Sequence, residues 1–192
     1  MEKSIKGTKT ERNLLKSFAG ESQARMRYIY FASQAKKEGF EQISAIFLET
    51  AGNEEEHAKR FFRFLEGGIL EINGIFPAGS ISNTINNLKL SAAGENEEYL
   101  KLYPEMAKVS DEEGFSMIAE CFRKISIAEK YHETRYLELI YNLENNEIFK
   151  KNIVVRWKCR NCGYIYENRE ALEKCPACLH SKAYMEELLT NF

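Results

Sequence analysis

Proline is scarce in this chain, three among 192 residues, and glycine contributes only 11. So few helix-breakers, beside abundant Glu, Lys, Leu, Ala and Ile, exclude a loop-rich chain and favour long helices. No apolar run is long enough to span a bilayer, and the opening MEKSIKGTKTERNLL holds none that could serve as an export signal. A cytoplasmic location without a membrane partner is therefore expected. Neither sign of charge dominates: the formal net charge is −2, which argues against a nucleic-acid surface. What remains is ordinary for a globular protein, 44% hydrophobic and 29% charged, with length for one packed domain and a small appendage.

Four helical stripes are legible. The first helix is expected from about Thr10 to Lys37, with Leu14, Phe18, Glu21, Arg25, Tyr28, Ala32 and Ala35 in phase. The second, roughly Glu41 to Glu66 and ended by Gly67-Gly68, carries Ile43, Phe47, Thr50, Glu54, His57, Phe61 and Phe64. Glu71 to Ser80 reads as a connection. The third starts near Ser82 with Ile85, Leu88, Ala92, Glu95, Tyr99 and Leu102, and Pro104 is expected to kink or end it. The fourth, about Phe115 to Asn145, shows Ile118, Phe122, Ile125, Glu129, His132, Tyr136, Leu139 and Leu143.

In every stripe a glutamate stands where an apolar residue belongs. A solvated face would put Glu21, Glu54, Glu95 and Glu129 out of phase with the hydrophobics. Burying an unpaired charge costs several kcal/mol even after relaxation, so four in one core require cations. Glu54-x-x-His57 and Glu129-x-x-His132 each set a carboxylate and an imidazole on one helix face, within reach of one metal ion. The helices also repeat in pairs: Ala19-Gly20-Glu21 recurs as Ala93-Gly94-Glu95 at an offset of 74, and the Glu-x-x-His motif recurs at 75. Two facing copies make a four-helix bundle with a pseudo-twofold site, a glutamate from each of two helices and Glu-x-x-His from the others. On this reading Glu21 with His57 serves one ion, Glu95 with His132 the other, and Glu54 and Glu129 bridge. Glu98, one turn after Glu95, breaks the symmetry, since Ala24 is its counterpart. This donor set suits iron or manganese better than zinc or copper. With neutral imidazoles five glutamates carry −5, which two ferrous ions reduce to −1.

Past Asn145 the pattern changes to a linker and a strand around Ile153-Val154-Val155. Then Cys159-x-x-Cys162 and Cys175-x-x-Cys178 supply four thiolates for one metal, with structural zinc and iron both open from spacing. A unit this small needs the metal for stability. Gly163 suits a turn that aims backbone N–H groups at sulfur. Cys121 is expected to be a buried, inert thiol.

The stretches LLKSFAGESQARMRYIYFASQAKKEGFEQI, NEEEHAKRFF, AGENEEYLKLYPEMA, AEKYHETRY, KCRNCGY and KCPAC together make the chain resemble the rubrerythrin family over essentially its whole length. The resemblance implies a mainly α fold, a ferritin-like four-helix bundle over residues 1–146 with a small rubredoxin-like metal-binding β domain over 147–192. It implies a non-haem di-iron site, oxo- and carboxylate-bridged, on Glu21, Glu54, His57, Glu95, Glu98, Glu129 and His132, and one iron on Cys159, Cys162, Cys175 and Cys178. Further implied are reduction of hydrogen peroxide to water, an NAD(P)H-linked electron supply through a rubredoxin or reductase, and one iron shifting between His57 and Glu98. A head-to-tail homodimer is expected, because the helix between Glu129 and the cysteines separates the two centres within one chain. The alternative is a ferroxidase or iron store of the ferritin-like class. Free rubredoxins have glycine after the second knuckle; Leu179-His180 stands here, so different hydrogen bonding is expected there. His180 is read as a surface residue, and Tyr28 and Tyr103 as core aromatics, with bonding to the cluster as their alternative.

Overall fold

A computed structural model describes residues 3–190. Helix α1 (Lys9–Lys37) begins at Thr8, whose side chain accepts the Glu11 N–H, and α2 (Glu41–Phe62) returns beside it. The second hairpin comprises α3 (Thr84–Glu97), a π-helical turn (Glu98–Leu102), α4 (Tyr103–Glu112) and α5 (Ser116–Glu144). A three-stranded antiparallel sheet in the order β2-β1-β3 follows, built from β1 (Lys150–Cys159), β2 (Ile165–Glu170) and β3 (Met185–Glu187). No helix among the described residues is long and apolar enough to cross a membrane.

The helices end by a shared chemistry. Gly39 (φ 85°) and Gly114 (φ 82°) adopt the left-handed conformation that closes α1 and α4. The next N–H turns back in each case, Phe40 to Ala35 O at 2.9 Å and Phe115 to Ser110 O at 2.7 Å. The glutamates before these glycines then clamp the opposite hairpin. Glu38 accepts from the Thr84 N–H at 3.0 Å, at the start of α3. Glu113 accepts from the N–H groups of Lys9 (3.0 Å) and Thr10 (2.8 Å), at the start of α1. Each clamp satisfies helix N-terminal donors that no intrahelical carbonyl can reach. The sequence repeat therefore extends to Glu38-Gly39-Phe40 and Glu113-Gly114-Phe115.

These clamps fix the helix directions. The first residues of α3 lie at the α1–α2 turn, so residues 63–83 run back along the bundle, with Pro77 O accepting from Gln23 at 3.1 Å. One such crossover is the connectivity of ferritin-like bundles. Helix α2 stops four residues short of the expected Glu66. Phe64 and Leu65 continue the apolar stripe, but their N–H groups bond to Phe61 O and Phe62 O in a tightening turn. Pro104 does not end the third helix; it falls in the first turn of α4, where its missing N–H is harmless.

Two apolar clusters fill the bundle. One packs Tyr28, Phe47 and Tyr136 together, with ring centroids 5.3 Å (Phe47–Tyr136, tilted) and 5.7 Å (Tyr28–Tyr136, edge-on) apart. The other packs Phe61 against Tyr103 and Phe122, tilted, with centroids 5.6 and 4.9 Å apart. The sheet has its own core of Trp157, Cys159, Ala171, Cys175 and Met185. It packs on the α1–α2 turn, where Phe40 stacks on Phe149 at 6.1 Å.

Candidate metal centres

Glu21, Glu54, Glu95 and Glu129 all lie in the interior, each at most 1% exposed. The structure brings Glu21, Glu54, His57 and Glu129 into one four-donor group and Glu54, Glu95, Glu129 and His132 into a second. The two carboxylates common to both groups divide their oxygens between them. Nδ1 of His57 is 3.0 Å from Oε2 of Glu54 and 3.0 Å from Oε1 of Glu129. Nδ1 of His132 is 3.2 Å from Oε1 of Glu54 and 2.9 Å from Oε2 of Glu129. A carboxylate that offers one oxygen to each of two donor groups has the disposition of a bridge.

The residues fit two cations. Nδ1 of His132 lies within 3.5 Å of Glu54 Oε1, Glu95 Oε2 and Glu129 Oε2, yet none of these four atoms makes a hydrogen bond. Buried polar atoms left unpaired cost about 1–3 kcal/mol each, more when charged, so convergent orphans call for an ion. The titration behaviour agrees. Burial, then Glu129, Glu54 and Glu98, push Glu21 well above the usual carboxylate range. Burial and Glu54 push Glu95 up to about 8. Burial disfavours a charged His57, but Glu129 and Glu54 outweigh it and push the imidazole up to about 9.

Tyr28 and Tyr103 are more than core aromatics. The Tyr28 hydroxyl donates to Oε1 of Glu95, and that of Tyr103 to Oε1 of Glu21. Each comes from the opposite hairpin and holds the terminal carboxylate of one group. Glu21 precedes Tyr28 by seven residues, whereas Glu95 precedes Tyr103 by eight. The extra residue sits in the π turn, where the Tyr103 N–H bonds to Glu98 O, five residues back. The step in repeat offset from 74 to 75 has this cause, and Glu98 opens the widened turn.

Glu98 belongs to neither four-donor group in this structure. It is half-buried beside them; burial, then Glu95, Glu129 and Glu54, push its carboxyl well above the usual range, while Arg27 opposes the shift. Asn53 was not singled out by its sequence pattern, yet its Oδ1 lies 3.3 Å from Nε2 of His132. No periodicity marks such a residue, because Asn53 is exposed and outside the core stripe.

Cys159, Cys162, Cys175 and Cys178 also converge. Their sulfurs pair across the knuckles at 3.7 Å (Cys159–Cys178) and 3.6 Å (Cys162–Cys175). A disulfide would bring them to about 2 Å, whereas a tetrahedron with metal–sulfur bonds of ~2.3 Å has edges of about 3.8 Å. Gly163 (φ 78°) turns the first knuckle, its N–H bonding to Cys159 O at 2.9 Å. The second knuckle does not differ as expected. Leu179 takes the same left-handed conformation (φ 63°), and its N–H bonds to Cys175 O at 2.9 Å. A side chain there costs about 1–2 kcal/mol, and the turn is closed from the other side by the Cys175 N–H on His180 O at 2.8 Å. The backbone N–H of His180 outweighs burial and holds the Cys178 thiol down to about 6. At Cys162 the equivalent Tyr164 bond is outweighed by hydrogen bonding to Cys178 and by burial, which push it up to about 12. His180 is half-buried on the knuckle, edge-on to Tyr184 at 4.6 Å. Cys121 is half-buried and unpaired, and burial pushes its thiol up.

A helical bundle with two carboxylate–imidazole donor groups that share Glu54 and Glu129, joined to a thiolate tetrad, defines a ferritin-like protein with a rubredoxin-like tail. The comparisons narrow the class. Residues 12–140 match the family described as Rubrerythrin, and 157–186 match "Rubrerythrin, rubredoxin-like domain". The chain is 56% identical to a rubrerythrin of Porphyromonas gingivalis, covering 100% of this chain and 96% of that one. It is 54% identical to a rubrerythrin of Nitratidesulfovibrio vulgaris, covering 99% and 100%. Among solved structures it is similar to fully reduced, all-ferrous nigerythrin, with TM-score 0.64 and 29% identity over 96% of this chain and 92% of that one. A Desulfovibrio desulfuricans bacterioferritin (TM-score 0.62, 23% identity, 72% of this chain and 82% of that one) shares the fold. The chain belongs to the rubrerythrin family. It carries a carboxylate–imidazole cluster for a di-iron centre and a four-cysteine site in a rubredoxin-like domain, and the family supports an oxidoreductase of oxidative-stress defence.

Proposed function

We propose that the chain is a non-haem di-iron peroxidase that reduces hydrogen peroxide to water with electrons relayed through its four-cysteine centre. One observation carries this reading: a two-group carboxylate–imidazole cluster and a thiolate tetrad occur in the same chain. An iron store has no need of a built-in electron-transfer unit. Iron bound in the cluster supplies the two electrons that, with two protons, turn one peroxide into two waters.

In this reading Glu21 with His57 and Glu95 with His132 hold one ion each, Glu54 and Glu129 bridge, and Glu98 with His57 forms the catalytic pair. Tyr103 and Tyr28 hold the carboxylates of Glu21 and Glu95 in place. Glu98 lies beside the cluster, where burial and then Glu95, Glu129 and Glu54 push its carboxyl above the usual range. The aromatic clusters on either side exclude water along the bundle axis. Cys159, Cys162, Cys175 and Cys178 hold the third iron.

We divide the chain into a bundle, 1–146, and a four-cysteine unit, 147–192. The sheet packs at Phe40, about 20 Å of helix from Glu54 at ~1.5 Å per residue. That separation supports a head-to-tail homodimer, in which one copy's tetrad faces its partner's cluster. The electron donor is a rubredoxin or an NAD(P)H-dependent reductase, and the location is the cytoplasm. Rapid mixing of the fully reduced protein with peroxide, then with oxygen, tests the activity. Reoxidation of both centres is expected to be much faster with peroxide; equal rates would remove the case for a peroxidase and favour a ferroxidase.

A further inference from the structure

The two imidazoles of the cluster are held unequally. Each turns Nδ1 toward the bridging carboxylates, which leaves Nε2 facing outward. On His132, Nε2 lies 3.3 Å from Oδ1 of Asn53, reaching across from α2. The duplication that relates His57 to His132 relates Asn53 to Ala128, at the same offset of 75. A methyl group offers no acceptor, and among the described residues no side chain hydrogen-bonds Nε2 of His57. The His57 side chain is also 15% exposed, against 3% for His132.

When Nδ1 binds a cation the imidazole is neutral, so its proton sits on Nε2 and makes that nitrogen a donor. An acceptor at Nε2 fixes the tautomer and the ring plane and raises the basicity of Nδ1; its loss typically lowers metal affinity 10- to 100-fold. We propose that Asn53 is a positioning residue that locks His132 onto its ion, a support that Ala128 cannot give His57. The inference rests on the reading that the cluster holds two metal ions. It adds a cause for their inequality that lies outside the donor set.

The test uses the full-length protein with its four-cysteine site already filled, titrated with Co(II). Occupancy at the two positions is read from anomalous scattering in crystals grown at limiting Co(II), and affinity from competition with a chelator. Asn53 is exposed on α2, so Asn53→Ala leaves the core packing untouched. This substitution is expected to weaken the ion beside His132 and Glu95 about 10- to 100-fold, with the ion beside His57 unchanged. Asn53→Asp, which keeps an acceptor, is expected to restore it. Unchanged affinity in Asn53→Ala, or equal weakening of both ions, would overturn the role of Asn53. Wild-type protein that fails to take up two Co(II) ions in the cluster would instead sink the two-ion reading and this inference with it.

Discussion

The first hairpin, α1 with α2, and the second, α3 through α5, agree in their core glutamates, their Glu-x-x-His motifs, their tyrosine donors and their turn glutamates. They part at two places that touch the cluster. The second hairpin has one extra residue, absorbed in a π turn that brings Glu98 beside the donors. The first has Asn53 where the second has Ala128. Both departures set the two donor groups apart: one adds a carboxylate beside the cluster, and the other gives Nε2 of His132 a side-chain partner that Nε2 of His57 lacks. A duplicated scaffold can bind two ions symmetrically. These departures are what make its two donor groups unequal.

Breaking the shared elements should have the largest effects. Glu54→Ala removes an oxygen from each four-donor group, so both ions are expected to be lost. Glu21→Ala touches one group and should leave at least one ion bound. Metal analysis by mass spectrometry checks both, and equal losses in the two variants would contradict the bridging roles.

Tyr28→Phe and Tyr103→Phe come next. Each strips the donor from one terminal carboxylate, Glu95 or Glu21, and is expected to weaken the ion there about 10- to 100-fold. By symmetry the two effects should match in size and fall on opposite ions, which chelator competition resolves.

The clamps at the helix ends give the smallest effect. Glu38→Ala and Glu113→Ala are each expected to cost about 1 kcal/mol in denaturant unfolding, the usual worth of an N-terminal cap. Burial works against both charges, but hydrogen bonds from Gln34 and Thr84 to Glu38 and from Thr10 and Lys9 to Glu113 hold both carboxyls below the usual range. Since the folded values lie below the unfolded ones, the contribution is complete above the ordinary carboxyl range. It fades as pH falls through the lowered values. The stability gap between wild type and either variant should therefore shrink under acid; a gap that widens would contradict the clamp.

Much of this contrast was legible in the chain. Glutamates in phase with the apolar stripe placed the four helices and the cluster, because burial of charge without cations is too costly to be accidental. The offset of 74 at Glu21 and Glu95 against 75 at the Glu-x-x-His motifs already recorded one inserted residue. What offsets do not reveal is where an extra residue goes, whether into a loop, a bulge or a π turn. The end of α2 was overrun because Phe64 and Leu65 still pack on the core after the helix has tightened into turns. The partners of Tyr28, Tyr103 and Asn53 depend on contacts between hairpins, to which periodicity within one helix is blind. Leu179 followed no rule of composition; hydrogen bonds within its own knuckle, from Leu179 N–H to Cys175 O and from Cys175 N–H to His180 O, hold it in a conformation that glycine would adopt more cheaply.

The central claim is that the asymmetric glutamate serves turnover rather than metal retention. Glu98→Ala measures it directly, with iron content and peroxide-dependent reoxidation read on the same preparation. The account predicts two irons retained in the bundle and peroxide turnover lost. A variant that loses an iron, or that keeps both and reduces peroxide at the wild-type rate, would contradict it.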